Sequence, residues 1–353
     1  MAAKGAFVRG IGMMSAVGVG TKPTATSVAA GVARLSESSI HDRRFRPIVM
    51  GTLLEEELPP LAPPVLETKG LTSTQQRLLR LAAPALAEAV ADIGDPKRVP
   101  LFLGAPEATA GRPIPIDARW IGLLSKQAEV PFDTARSKAY ANGRAAGLYA
   151  LAGGLRALAT GDVDHVLVGA VDTYVDLMRL AHADQEGRVL AEGVMDGFIP
   201  GEGACFLLLS TASARCGAPA IARIEAVATG VEPGHRYSEE PYRGDGLADA
   251  FRVLFEKARD APPVRSVWAG LNGESFNAKE WGTAFLRSSE HFAEPLRVEH
   301  PVDCFGDPGA ALGLLMVGIA AFGIAEGKVD EPALVWCSSD GEERAAALVR
   351  CAG

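Results

Sequence analysis

From Pro308 to Ala325 the chain reads PGAALGLLMVGIAAFGIA, a run without a charged residue, and this run constrains the fold more than any other feature. A helix that is apolar all the way round must be covered all the way round, by lipid or by protein. The run approaches the length of a membrane span, and its Gly309, Gly313, Gly318 and Gly323 fall at near-helical spacing. It is single, however, and much of it is weakly hydrophobic Ala and Gly. The expectation is a helix buried on all sides inside a soluble protein, with no membrane contact.

Ala145 to Ala159, rich in Ala, Gly and Leu, has nearly the same character, and each of the two runs sits at the same place in a repeated order of elements. In the first half, Ala6 to Met14 reads as a strand and Thr24 to Leu35 as a helix. Leu71 to Ile93 is a longer helix, capped by Thr72 or Ser73 and bent at Pro84. Val99 to Gly104, His165 to Ala170 and Ala204 to Ser210 read as strands around the Ala145 run. From about Ala218 the order recurs, with strands at Ile221 to Gly230, Val264 to Leu271, Ala333 to Cys337 and Ala345 to Val349 around the Gly309 run. The amphipathic helix Leu247 to Ala258 turns Leu247, Phe251, Leu254, Phe255 and Ala258 inward. Two sheets sandwiching the two apolar helices give every face cover, which predicts an α/β fold of five layers, αβαβα. The halves, residues 1–217 and 218–353, are then one interlocked unit. A single doubly wound sheet leaves the repeat and the second apolar helix unexplained.

The 353 residues are 48% hydrophobic and 22% charged, enough apolar surface to collapse without staples. A formal net charge of −8 argues against nucleic-acid binding. The five cysteines, Cys205, Cys216, Cys304, Cys337 and Cys351, are widely spaced and form no CxxC pair, and the N-terminus lacks a signal-peptide pattern. Both suit a reducing cytoplasm.

Gly10, Gly12, Ser15 and Gly18 follow the first strand, but the third glycine of a dinucleotide fingerprint is missing and no acidic residue ends a second strand at the right distance. A tight turn is the better reading, and no cofactor is expected. There is no GxSxG elbow, HExxH or P-loop. Asp162, Asp164 and His165 cluster ahead of a strand without a second group of ligands, so no metal site is expected.

Three segments carry a resemblance that covers nearly the whole chain. FVRGIGMMSAVGVG (Phe7 to Gly20), GLYALAGGLRALATGDVDHVLVGAVD (Gly147 to Asp172) and DGFIPGEGACFLLL (Asp196 to Leu209) resemble the first strand, the central helix with its following strand, and the DGFxxGEGAGxLxL segment of β-ketoacyl-acyl-carrier-protein synthases. The resemblance implies the thiolase-like fold, which is the duplicated five-layer stack. It also implies a nucleophilic cysteine at the N-terminus of the first central helix and two histidines from the second half that stabilise an enolate.

In this sequence the cysteine position holds Arg144, the first histidine position Asn272 and the second Asp307. The accompanying lysine aligns near Val302, and Ser338, Ser339, Asp340, Gly341, Glu342 and Glu343 replace a glycine-rich pocket loop. Arginine is no nucleophile, and an aspartate anion opposes an enolate. The resemblance thus predicts a pseudoenzyme in which Arg144 and Asp307, helped by Asn272, pair across the old pocket and plug it. Cys304, three residues before Asp307, is the alternative nucleophile, and Asp307, Asn272 and Glu274 an alternative acid–base site. His300 is read as a solvated loop residue.

The leading expectation for function is a non-catalytic binding, adaptor or chaperone-like accessory factor, as diverged ketosynthase-like proteins serve in secretion clusters that load effectors. The alternative is a diverged synthase or acyltransferase, or the inactive partner of an active synthase. The resemblance implies a homodimer, or a heterodimer with a related thiolase-fold chain, through the sheet edge near Ser137 to Asn142. A protein client and an acyl carrier protein are the further partners to test.

Overall fold

The computed structural model describes residues 5–108, 115–214 and 217–353, so Cys216 lies outside the described residues. Ten long strands carry the architecture. The first half supplies β1 (Ala6–Ser15), β2 (Pro100–Gly104), β3 (Asp133–Tyr140), β4 (His165–Thr173) and β5 (Glu202–Ser210). The second half supplies β6 (Ala222–Val231), β7 (Val264–Ala269), β8 (Phe292–Glu299), β9 (Ala333–Ser338) and β10 (Glu343–Arg350). The strand order β3-β2-β4-β5-β1 in the first half is matched by β8-β7-β9-β10-β6 in the second, with the same parallel and antiparallel pairings. The repeat read from the sequence is therefore a repeat of topology.

The halves are joined more closely than two stacked sheets. β1 and β6 pair antiparallel, Ala6 with Ile224, Phe7 with Arg223 and Val8 with Ala222, so the ten strands form one hydrogen-bonded sheet folded around the middle layer. Each first strand would otherwise present an open edge, and pairing them satisfies both.

The helices of nine residues or more are α1 (Thr21–Ala29), α2 (Ser73–Ala89), α3 (Ala118–Gln127), α4 (Ala146–Thr160), α5 (Leu177–Gln185), α6 (Asp245–Lys257), α7 (Ser275–Arg287) and α8 (Leu312–Ala325). α2 and α3 cover the outer face of the first sheet, and α6 and α7 that of the second, while α4 and α8 fill the space between. Strand periodicity sorts side chains between these layers. On β5, Cys205, Leu207 and Leu209 face the central helices, and Ala204, Phe206 and Leu208 face α2.

α8 is buried from Leu312 to Ala321, and no helix among the described residues is long and apolar enough to cross a membrane. A Cβ on Gly147 would lie 3.2 Å from the Leu314 Cβ, and one on Gly313 2.9 Å from the Leu148 Cγ. The glycines at the start of α4 and α8 thus let the two axes approach.

Some boundaries differ from expectation. The first helix spans Thr21–Ala29 rather than Thr24 to Leu35. The Glu88 carboxylate accepts from the Thr21 N–H and starts it early, and Gly31, at φ 65°, stops it. Thr72 caps α2, accepting from the Gln75 N–H at 3.1 Å, and the helix continues through Pro84.

Candidate functional site

The central helices begin alike. Gly143 at φ 56° opens a single tight turn, Gly143–Ala145, before α4, and Gly309 at φ 54° opens the matching turn, Gly309–Ala311, before α8. The two turns touch. Arg144 sits in the first. Asp307 precedes the second, in a segment held to the DGFIPGEG stretch: the Asp307 N–H donates to the Ile199 carbonyl at 2.7 Å, and the Gly201 N–H to the Asp307 carbonyl at 2.9 Å.

Arg144, Asn272 and Asp307 converge. Arg144 Nε donates to Asp307 Oδ2 at 2.5 Å, and Asn272 Nδ2 donates to the same oxygen at 2.9 Å. Asn272 lies just past β7 and is oriented by its own carbonyl, which accepts from Asn277 Nδ2 at 2.8 Å and from the Glu274 N–H at 3.2 Å. Its amide also reaches Glu274 Oε2 at 3.0 Å. All three side chains are buried.

The network is larger than these three positions. Arg188, on the loop after α5, makes a two-pronged contact with Glu274 at 2.8 and 2.9 Å. It makes a second with Asp340, on the loop between β9 and β10, at 2.9 and 2.8 Å. Arg144 Nη1 adds a bond to Asp340 Oδ1 at 2.9 Å and Arg236 Nε another at 3.2 Å, while Arg236 Nη2 lies 2.9 Å from Glu274 Oε1. Arg144 and Arg188 both lie over the Phe198 ring, at 5.1 and 5.5 Å, and Tyr174 OH stands 3.3 Å from Arg144 Nη2. Three guanidiniums thus interlock with three carboxylates. Burial opposes the charge on Arg144, but Asp307, with Tyr174, Asp340 and Glu274, more than offsets this and holds the guanidinium protonated. Burial likewise opposes ionisation of Asp340, and the facing Arg144, Arg188 and Arg236 win, driving its carboxyl far below the ordinary range.

The helix starts are also occupied. Ser339 Oγ accepts from the Ala145 N–H at 3.0 Å and donates to the Asn142 carbonyl. Asp307 Oδ1 accepts from the Gly309 N–H and Asp172 Oδ2 from the Ala310 N–H, both at 2.9 Å. The N–H donors of Ala145, Gly309 and Ala310, at the helix starts where an oxyanion would bind, are committed to the protein's own oxygens.

Cys304 is not part of this arrangement. It packs in the middle-layer core beside Val302 and Phe305, and burial, with Asp303 and Glu299, pushes its thiol above the ordinary value. Cys337, at the end of β9, is the cysteine whose thiol senses Asp307 and Arg144, and burial pushes it up further still. His300 is exposed and pairs with Asp303 at 2.8 Å. A groove of about 710 Å³ runs past Thr72, Arg77, Arg80, Glu107, Asp176 and Arg179, and an open depression of about 500 Å³ lies over Glu274, Met195 and His300. Neither is lined by Arg144, Asn272 or Asp307. Among the described residues no group of His, Cys, Asp and Glu is arranged to hold a metal ion.

Arg188 and Arg236 carried no signal in the sequence. Asp340 belongs to the segment that replaces the family's glycine-rich loop, and an acid there opposite Arg144 was the available hint.

No protein-family profile matches the chain, and no curated protein matches it in sequence. Solved structures do. A ketosynthase from module 6 of the bacillaene synthase of Bacillus subtilis 168 superposes with a TM-score of 0.78 at 13% identity, over 99% of this chain and 72% of that one. The ishigamide ketosynthase/chain length factor gives 0.77 at 19% identity over 100% of both chains. A ketosynthase in complex with its chain length factor from Xenorhabdus doucetiae gives 0.77 at 15% identity, over 99% of this chain and 98% of that one. The chain has the thiolase-like fold of the ketosynthases, as the sequence resemblance implies.

Proposed function

We propose that this chain is a non-catalytic thiolase-fold subunit that acts by binding another protein, with a related thiolase-fold chain as its first partner. The observation that carries the reading is the Arg144–Asp307 pair. It stands where the resemblance calls for a nucleophile and a histidine, and it belongs to a buried network in which the donors of Arg144, Arg188 and Asn272 are taken by the protein's own oxygens. Two further features support it. β3 ends the sheet, so one edge of Asp133–Tyr140 is unpaired among the described residues, and Thr134, Ala135, Arg136 and Lys138 on it are exposed. Two solved structures of this fold are ketosynthases with a chain length factor, and one is a ketosynthase with its acyl carrier protein. The adaptor role toward a client protein is the wider form of the same reading.

The test has two arms. Purified protein is incubated with malonyl- and acyl-loaded carrier protein and followed by intact mass and CO2 release, and its assembly state is measured by analytical ultracentrifugation alone and with a co-expressed ketosynthase. The expected result is neither acylation nor decarboxylation, together with a dimer of one or both kinds. An acyl adduct that disappears in Cys304→Ala would establish the enzyme reading instead.

A further inference from the structure

Asp340 is the carboxylate that the β9–β10 turn brings to the network. Four N–H donors meet its carboxylate: Arg144 Nη1, Arg188 Nη2 and Arg236 Nε on Oδ1, and Arg188 Nη1 on Oδ2, at 2.8 to 3.2 Å. The three arginines come from separate places: the start of α4, the loop after α5 and the loop after β6. All of them are fixed by other contacts, Arg144 by Asp307, Arg188 by Glu274 and both by Phe198. Arg236 lies over the Phe276 ring at 4.8 Å, and its N–H holds the Asp340 carbonyl at 3.2 Å. The remaining acids that face the nest are Glu186, 3.4 Å from Arg188 Nη1, and Glu107, whose pKa burial and the Asp340 charge raise. Asp340 is also the most accessible of the three network carboxylates, with 17% of its side chain exposed against 3% for Glu274 and 1% for Asp307.

We infer that the Arg144–Arg188–Arg236 nest is a carboxylate-binding site that Asp340 occupies in cis, so that the β9–β10 turn acts as a built-in autoinhibitory ligand. The arginine donors are arranged around a planar two-oxygen anion, which is carboxylate geometry. Asp340 is partly exposed, and its withdrawal leaves four convergent donors without their anion, which then accept a small carboxylate or the acidic side chain or C-terminus of a bound protein. The inference rests on the reading that the old pocket is closed by the protein itself. It concerns anion binding and not acyl chemistry, so the two fail separately.

The experiment is chemical rescue in the full-length chain. Asp340→Gly removes the carboxylate and leaves the space of a formate or acetate ion. The variant is expected to melt below wild type and to regain about 2–4 °C or more as sodium formate is titrated, in a saturable manner, while sodium chloride at equal ionic strength has no such effect and wild type does not respond. A further Arg188→Ala substitution is expected to abolish the response. Equal effects of formate and chloride, or a response of the same size in wild type, overturn the proposal. Saturable binding of phosphate but of neither formate nor acetate also overturns it as a carboxylate site. Should Asp340→Gly be unfolded in dilute buffer, the titration is read as recovery of the far-UV circular dichroism, and no recovery in formate is equally decisive against it.

Discussion

Arg144 Nε and Asp307 Oδ2 lie 2.5 Å apart across a separation of 163 residues, and both side chains are almost wholly buried. Such a pair is weak evidence for added stability, because desolvation offsets the Coulomb attraction, but removing one partner strands the other. Arg144→Ala is therefore expected to cost about 3–5 kcal/mol. Adding Asp307→Asn recovers a large part of the loss, because no uncompensated buried charge remains. Urea denaturation of the two single variants and the double variant measures this. The cycle is expected to be non-additive by about 1–3 kcal/mol, since the residues are joined by a direct hydrogen bond within one buried network. Additive costs would mean that the pair is not energetically coupled.

Restoring a thiol at the nucleophile position is not expected to restore chemistry. In Arg144→Cys the new side chain faces the Asp307 carboxylate, and the Asp340 and Glu274 carboxylates stand nearby, all three deprived of one guanidinium. Neighbouring anions and burial both raise a thiol pKa, and Asn272 offers no general base. The expected outcome is no acyl adduct by intact mass spectrometry after incubation with acyl-carrier protein, and reaction with iodoacetamide at pH 7 at least tenfold slower than that of a free thiol.

Much of the fold was legible because its strongest signals are local. The uncharged run that became α8 and its counterpart that became α4 define the middle layer by composition alone, and the valine-rich strands beside them follow from period-two burial. Several of the elements missed, though not the amphipathic α3, have mixed patterns. β3 (DTARSKAY) and β8 (FAEPLRVE) are edge strands, exposed over much of their length, so neither shows apolar alternation. α5 is nine residues long, with Leu180 and Ala183 as its buried residues. In the candidate site, Arg144, Asn272, Glu274 and Asp307 were found because they stand at positions where the resemblance expects something else or lie beside one. Arg188 and Arg236 stand at no such position, and a lone surface-like arginine in a loop gives no sign in sequence that it will be drawn under a carboxylate.

Two carboxyls near the network are expected to give opposite pH signatures. Asp340 has a folded pKa below its ordinary 3.8, so the unfolded chain takes up a proton before the folded one does. The stability it contributes is full above pH ~3.8 and is lost as pH falls toward the depressed value. The advantage of wild type over Asp340→Asn should thus be constant from neutral pH down to mild acid and shrink in strong acid. Glu107 has a folded pKa above its ordinary 4.5, first through burial and then through Asp340, and its Oε1 is buried without a hydrogen-bond partner. Ionising it destabilises the fold, so Glu107→Gln should stabilise at pH 7, with the gain vanishing as pH falls below ~4.5. Urea midpoints across pH 3 to 8 for both variants test the signs, and a gain for Glu107→Gln that persists unchanged at pH 3 would contradict the assignment.

The halves repeat one topology, yet the packing argues against their independence, and fragments 1–217 and 218–353 are expected not to fold alone. In the first fragment, Ala6, Phe7 and Val8 lose their β6 partners, and α4 loses α8 on one side and the second sheet on another. In the second, α8 is exposed toward β1, β5 and α4, where Leu314 packs at Gly147 and Leu315 at Gly203 and neither is accessible in the intact chain. The Arg144–Asp307 and Arg188–Glu274 contacts are also cut, leaving Asp307 without Arg144 and Glu274 without Arg188. A helix apolar on every side has no stable solvated state outside this middle layer. Each fragment alone is therefore expected to aggregate or to be digested throughout by limited proteolysis, whereas co-expression should recover a soluble complex with one cooperative unfolding transition. A fragment 1–217 that unfolds cooperatively on its own would show instead that the repeat is two domains and that the middle layer is an interface between them.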